Sequence, residues 1–173
     1  MKKWIPILLV FLISACSSGG KKPADKMYYR FPETTVQPID NLNVNIKRPT
    51  AMGILGNRPM VVQTDKGGLI QMGSNFWLDS PKILLENYLS EVFIDASQGD
   101  ILILNSQILA LEKKQDQALL SIKFLLINND SDIIFDKTYK NQKKLKDNTI
   151  PAFSKAIGDL LIDMTKQLSQ DLQ

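Results

Sequence analysis

The 173-residue sequence contains no histidine, and this absence removes several classes of enzyme at once. Histidine is the commonest general base, because it is the only side chain whose unperturbed charge change falls between about pH 5 and 8. It is also the usual nitrogen ligand of zinc in proteins. A Ser-His-Asp or Cys-His nucleophile system therefore cannot be assembled from this chain.

Cysteine is almost as scarce, because Cys16 is the only one in the chain. A single thiol cannot form an intramolecular disulfide, and zinc sites built on cysteine need several thiolates. The acidic turn Asp130-Ser131-Asp132 lacks the ligand spacing and the glycine of a calcium loop. Asp159 and Asp163 lie one helical turn apart, as expected for a solvent-facing helix flank. We therefore predict a protein that is not an enzyme, with no catalytic residues, no metal site and no cofactor.

A membrane-spanning hydrophobic run is also missing from the N-terminus. The apolar stretch there covers residues 5–13, whereas a transmembrane helix needs about 20 residues. It follows two lysines and precedes small residues, which is the arrangement of a signal peptide. Ile13-Ser14-Ala15-Cys16 resembles the bacterial lipobox, in which the signal peptidase cuts before a cysteine that carries lipid. We predict a lipoprotein signal peptide over residues 1–15 and lipidation of Cys16. The alternative is an ordinary secretory signal with an incidental cysteine.

The residue after Cys16 and the net charge bear on location and partners. By resemblance to enterobacterial sorting rules, Ser17 favours the outer membrane over the inner membrane. We therefore predict a lipid-anchored protein on the periplasmic face of the outer membrane. The full sequence has a formal charge of +3, but cleavage removes Lys2 and Lys3 and leaves the mature chain close to neutral. The basic balance is therefore no sign of nucleic-acid binding.

The mature chain divides into a tether and one domain. Residues 16–26 are rich in Ser, Gly and Lys and lack apolar periodicity, which predicts a lipidated flexible tether. Residues 27–173 fit a single globular domain. Strands are predicted at 27–31, 42–47, 60–64, 69–72, 101–112, 117–127 and 132–140, with helices beginning at Ser80-Pro81 and near 148–151. This order predicts an α+β fold, in which a mixed or antiparallel sheet carries two amphipathic helices packed on one face.

Several stretches in the first half of the domain carry a family resemblance. They are Tyr28-Tyr29-Arg30-Phe31, Arg48-Pro49, Gly53-Ile54-Leu55-Gly56-Asn57-Arg58-Pro59-Met60-Val61-Val62 and Phe76-Trp77-Leu78-Asp79-Ser80-Pro81. Over residues 27–93 the sequence resembles the auxiliary lipoproteins of ABC-type, mammalian-cell-entry (MCE) lipid transport systems, of the paraquat-inducible-protein-C type. It differs from the family pattern at Ile54, where a tyrosine is common.

This resemblance implies a non-enzymatic subunit that helps a periplasmic MCE lipid tunnel meet the outer membrane. The implied partner is an MCE-domain protein, with the ATPase elsewhere in the complex, and homo-oligomeric rings are a further expectation from the family. The chain itself has no phosphate-binding loop for ATP. A different outer-membrane assembly lipoprotein, of the lipopolysaccharide-assembly or secretin-pilot type, is the alternative function. An enzyme that acts on peptidoglycan or lipid is the third.

Arg58 and Trp77 are the candidate partner-binding residues. An indole has a large apolar body and one hydrogen-bond donor, which suits a partner or membrane contact as well as a core anchor. Arg58, like Arg30 and Arg48, could hold lipid phosphates or partner carboxylates, or be solvated or locally paired. The lysines between 137 and 146 likewise have two interpretations. They form either a patch that binds anionic lipid headgroups or an ordinary solvated loop.

Overall fold

The computed structural model describes residues 24–31, 38–39, 42–94 and 99–172. The predicted signal peptide, Cys16 and residues 17–23 of the tether lie outside the described residues. The strands are β1 Met27–Tyr29, β2 Val44–Ile46, β3 Thr50–Ala51, β4 Pro59–Gln63, β5 Leu69–Trp77, β6 Leu102–Lys114, β7 Gln117–Ile127 and β8 Ile133–Lys144. The helices are α1 Pro81–Val92 and α2 Ile150–Asp171, and a 3-10 turn covers Gly53–Gly56. These elements confirm the predicted α+β class.

The described strands form one mixed sheet in the order β1-β5-β4-β6-β7-β8. Strands β6, β7 and β8 make the predicted antiparallel meander. The other edge of β6 is shared, because β2, β3 and β4 pair with it in parallel at successive levels. The sheet is therefore organised around β6.

Strand directions define two ends of the domain. Strand β4 runs parallel to β6, β5 runs antiparallel to β4, and β1 runs parallel to β5. The chain before β1 therefore approaches from the end where β6 finishes, which we call the tether end. The opposite end, where β6 begins and the turn between β7 and β8 lies, is called the distal end.

Both helices pack on one face of the sheet, as predicted. Alternate residues of β7 point to that face and are at most 3% exposed: Ala118, Leu120, Ile122, Phe124 and Leu126. They form one hydrophobic core with the buried stripe of α2: Phe153, Ile157, Leu160, Leu161, Met164 and Leu168. The hydroxyls of Tyr88 on α1 and Thr165 on α2 lie 2.8 Å apart and join the helices. The other face of β6, β7 and β8 carries neither helix, and we call it the open face.

Each helix begins at the residue that the sequence predicts. Ser80 Oγ accepts a hydrogen bond from the backbone N–H of Ile83 at 3.5 Å, and Pro81 occupies the first turn. Thr149 Oγ1 accepts from the backbone N–H of Ala152 at 3.3 Å. Such caps satisfy backbone donors that have no partner within the helix, and proline at the first position loses none.

The structure corrects several predicted boundaries. Strand β1 ends at Tyr29 rather than residue 31, and β6 ends at Lys114 rather than residue 112. Strand β8 extends to Lys144 rather than residue 140, because β7 offers pairing partners as far as the Gln117–Lys144 pair. Strand β5 extends to Trp77 rather than residue 72, because β1 and β4 both pair with its last residues. Residues 49–56, where no strand is predicted, contain β3, which pairs with the edge of β6.

Candidate functional surfaces

Trp77 lies at the centre of an aromatic junction between the sheet and the helices. Its side chain is only 1% exposed. The edge of Phe31 meets it at a ring-centre distance of 5.2 Å, and Phe153 of α2 lies 5.9 Å away. Aromatic pairs in these arrangements add to the stabilisation from burial alone. The core-anchor interpretation therefore describes Trp77, and its ring is not accessible to a partner.

Arg58, the other candidate, is exposed beside this junction. Its Nε donates to the carbonyl of Trp77 at 3.3 Å, and the N–H of Trp77 donates to the carbonyl of Arg58 at 2.7 Å. The guanidinium carbon lies 5.1 Å from the ring centre of Tyr28, which is 50% exposed. This distance is typical of a cation–π contact. Arg58 is therefore held in place while the far side of its guanidinium faces solvent.

The other two arginines lie in two different grooves. Arg30 and Lys155 line an open groove of about 450 Å³ between β1 and the start of α2. Arg48 lines another open groove of about 410 Å³ beside β6 and β7, where Lys123 also lies. Ligand pockets usually bury most of a small ligand, whereas both grooves are open to solvent. The three arginines therefore do not form one anion-binding site.

Of the lysines between 137 and 146, all but Lys146 lie on β8, and three of those four have acidic partners. Lys137 pairs with Asp171 at 2.5 Å and Lys143 with Asp159 at 2.9 Å, while Lys144 lies 3.7 Å from Asp116. Strand β8 is an edge strand, and lysine on an edge discourages pairing with further strands. This arrangement favours paired surface lysines over an anionic-headgroup patch.

A buried carboxylate, Glu112, was missed by the sequence analysis. It is 7% exposed and lies opposite Leu119 in the pairing of β6 with β7. Burial raises its pKa, and the positive charges of Lys114 and Lys140 only partly oppose this. The bulge between Ile108 and Ala110 shifts the alternation of β6 and places Glu112 on the open face. Neither this shift nor burial by neighbouring strands leaves a local pattern in the sequence.

Replacing Glu112 with glutamine is expected to raise the free energy of unfolding at pH 7. The gain should be at most about 1 kcal/mol, because water still partly screens the charge of this carboxylate. Because the pKa of Glu112 is raised in the folded chain, the folded chain holds the proton more tightly than the unfolded chain. Stability therefore falls as the pH rises from the unfolded pKa through the folded pKa. The gain from Glu112→Gln should be present at pH 7 and absent near pH 3, as measured by urea unfolding.

Asp163→Asn is the matched control for this measurement, because Asp163 is an exposed acid on α2. Its effect should stay within about 0.5 kcal/mol at both pH values. A destabilising effect of Glu112→Gln at pH 7 would show instead that the ionised carboxylate contributes favourably to the folded state.

Two further features of the described residues concern metals and membranes. No group of three or more acidic or cysteine side chains is placed to hold a metal ion within the ranges that the structure describes. Of the helices in those ranges, neither is long and apolar enough to cross a membrane.

The sequence matches no family model, and a search of curated proteins finds no match. Its fold is nevertheless found among solved structures. An uncharacterized protein superposes with a TM-score of 0.72 at 16% identity, over 86% of this chain and 99% of that one. Protein XCC0632 from Xanthomonas campestris, assigned to DUF330, gives a TM-score of 0.69 at 15% identity, over 82% of this chain and 92% of that one. At these identities the likeness concerns the fold alone.

Proposed function

We propose that this protein is a non-enzymatic lipoprotein, anchored through Cys16 to the periplasmic face of the outer membrane. It acts there as an accessory subunit of an MCE/ABC-type intermembrane lipid transport system. Its role is to dock the periplasmic MCE component at the outer membrane, while an ATPase elsewhere in the complex drives transport.

The observation that carries this proposal is the spatial convergence of three of the four family-like stretches. Tyr28 contacts the Arg58 guanidinium, and Arg58 and Trp77 exchange two hydrogen bonds. Trp77 ends β5 shortly before the Ser80 cap of α1. Short motifs that matched by chance would have no reason to meet at one junction. Their convergence supports the view that residues 27–93 share the family's structural core.

The topology also suits a short lipid tether. Residues 17–26 span at most about 33 Å when fully extended. A domain held by such a tether stays close to the membrane. Lipoproteins of the type implied by the lipobox carry several acyl chains, which anchor a protein stably where one chain is marginal.

The experiment that tests the proposal is a mild-detergent pull-down of the full-length lipidated protein, tagged after Gln173, from its native envelope. Mass spectrometry identifies the recovered proteins, and native mass gives the number of copies of this chain. We expect an MCE-domain protein together with a multimer of this chain. An untagged strain handled identically sets the background.

Two other results would overturn the proposal in different ways. Recovery of a lipopolysaccharide-assembly or secretin component, without an MCE protein, would favour the alternative assembly function and leave the lipoprotein assignment intact. Fractionation with the inner membrane alone would contradict the outer-membrane location.

A further inference from the structure

A row of isoleucines crosses the open face at the distal end. Ile103 on β6 pairs directly with Ile127 on β7, and Ile127 pairs with Ile133 on β8. Side chains of directly opposed residues on one face lie about 4.5–5.5 Å apart at Cβ. Ile101 and Ile134 flank this row, and we call the five residues the isoleucine patch.

Three of the five isoleucines are exposed, although their residue type suits a core, while Ile103 and Ile127 are half-buried. Ile101 is 46% exposed, Ile133 is 64% and Ile134 is 54%. The neighbouring side chains Leu104 and Leu126 point to the helix face and are each 1% exposed. Single exposed isoleucines need no explanation, but a contiguous group on a monomer marks an interaction surface.

Acidic side chains lie along the distal edge of the patch. Asp130 and Asp132 belong to the turn between β7 and β8, Asp100 immediately precedes Ile101, and all three are exposed. No ion pair of these aspartates is seen within the part of the chain that the structure describes. This acidic edge attracts lysine and arginine side chains. Arg48 and Lys123 lie on the opposite side of the patch, in the groove that Asn105 and Leu125 also line.

The position of the patch argues against membrane contact. It lies at the distal end, whereas residues 24–26 approach β1 from the tether end. The patch and the described residues nearest to Cys16 therefore lie toward opposite ends of the sheet.

We infer that the isoleucine patch binds the MCE-domain partner, through an apolar protein surface on that partner that is edged by basic side chains. This inference rests on the proposed function and adds to it a location and a chemistry for the contact. Burial of the patch would supply the affinity, and the acidic edge would supply orientation and a dependence on salt.

The test is the same pull-down with the full-length lipidated Ile133→Ser/Ile134→Ser variant. We expect recovery of the MCE-domain protein to fall at least ten-fold, because the two most exposed apolar side chains of the patch become polar. Leu69→Ser/Ile70→Ser is the matched control: these residues are 38% and 53% exposed but lie at the tether end. It should leave recovery unchanged. Asp130→Lys should lower recovery and weaken its dependence on salt.

Each remaining outcome overturns the inference. Equal recovery by wild type and Ile133→Ser/Ile134→Ser refutes the patch while leaving the proposed function intact. Failure of the wild type to recover any MCE protein refutes both. A smaller native mass of the variant, with recovery of the partner retained, assigns the patch to contacts between copies. Loss of binding to anionic vesicles by the variant, with the partner retained, assigns it to lipid. Thermal unfolding monitored by circular dichroism confirms that every variant is folded.

Discussion

Replacing Cys16 with serine is expected to transfer the protein from the outer-membrane fraction to the soluble periplasmic fraction. The variant is exported behind a secretory signal peptide that is cleaved without lipidation, so that an uncleaved signal cannot anchor it. Each buried CH₂ of an acyl chain contributes about 0.8 kcal/mol to membrane binding, so losing several chains lowers partitioning by many orders of magnitude. Sucrose-gradient fractionation measures the distribution, and mass spectrometry of the N-terminal peptide detects the acyl chains.

Ser17 provides the control for this experiment, because Ser17→Ala retains the lipidated cysteine and should stay in the outer membrane. Ser17→Asp should keep the lipid but move the protein to the inner membrane, if the enterobacterial sorting rule applies. Retention of non-lipidated Cys16→Ser in the outer membrane would mean that the folded domain binds the membrane itself.

The elements that the sequence predicts best are those whose signals are local. Strand β7 matches its predicted bounds at 117–127, because alternating apolar residues and the Asn128–Ser131 turn are both visible in the sequence. The helix starts at Ser80 and Thr149 are predicted equally well, because a capping hydroxyl and a following proline are local features of the sequence.

The short strands that pair with the edge of β6 could not be predicted in the same way. Strands β2 and β3 are only three and two residues long, and they exist because β6 offers unpaired backbone groups beside them. Pairing between residues so distant in sequence leaves no local pattern. The interpretation of the β8 lysines as part of a solvated loop failed for a related reason. Charged residues are typical of a loop, and only the pairing with a neighbouring strand shows that they belong to β8.

The candidate surfaces also differ in how far local sequence patterns can predict them. Burial of Trp77 was one of two interpretations that its chemistry allowed, and the contacts with Phe31 and Phe153 decide between them. The isoleucine patch needs the register of three strands, and that register shifts at bulges near Leu109 and Ile134. Periodicity alone cannot place Ile103, Ile127 and Ile133 side by side.

Replacing Trp77 with alanine is expected to lower the free energy of unfolding by about 3–5 kcal/mol, the usual cost of truncating a buried aromatic residue. The loss combines the transfer of a large apolar side chain with a cavity between β5 and α2. Typical domains are stable by only about 5–15 kcal/mol, so the variant would be close to unfolding. Urea unfolding of the non-lipidated mature chain, followed by circular dichroism, measures the difference.

Two variants separate packing at this junction from its surface contacts. Trp77→Phe keeps an aromatic ring against Phe31 and Phe153, so it should lose less than Trp77→Ala. Arg58→Gln removes an exposed cation–π contact, which is worth about 0.5–1 kcal/mol at such sites. If Arg58→Gln instead cost as much as Trp77→Ala, the guanidinium would be holding the junction together. Arg58 would then be unsuited to partner binding, because its charge would already be committed within the fold.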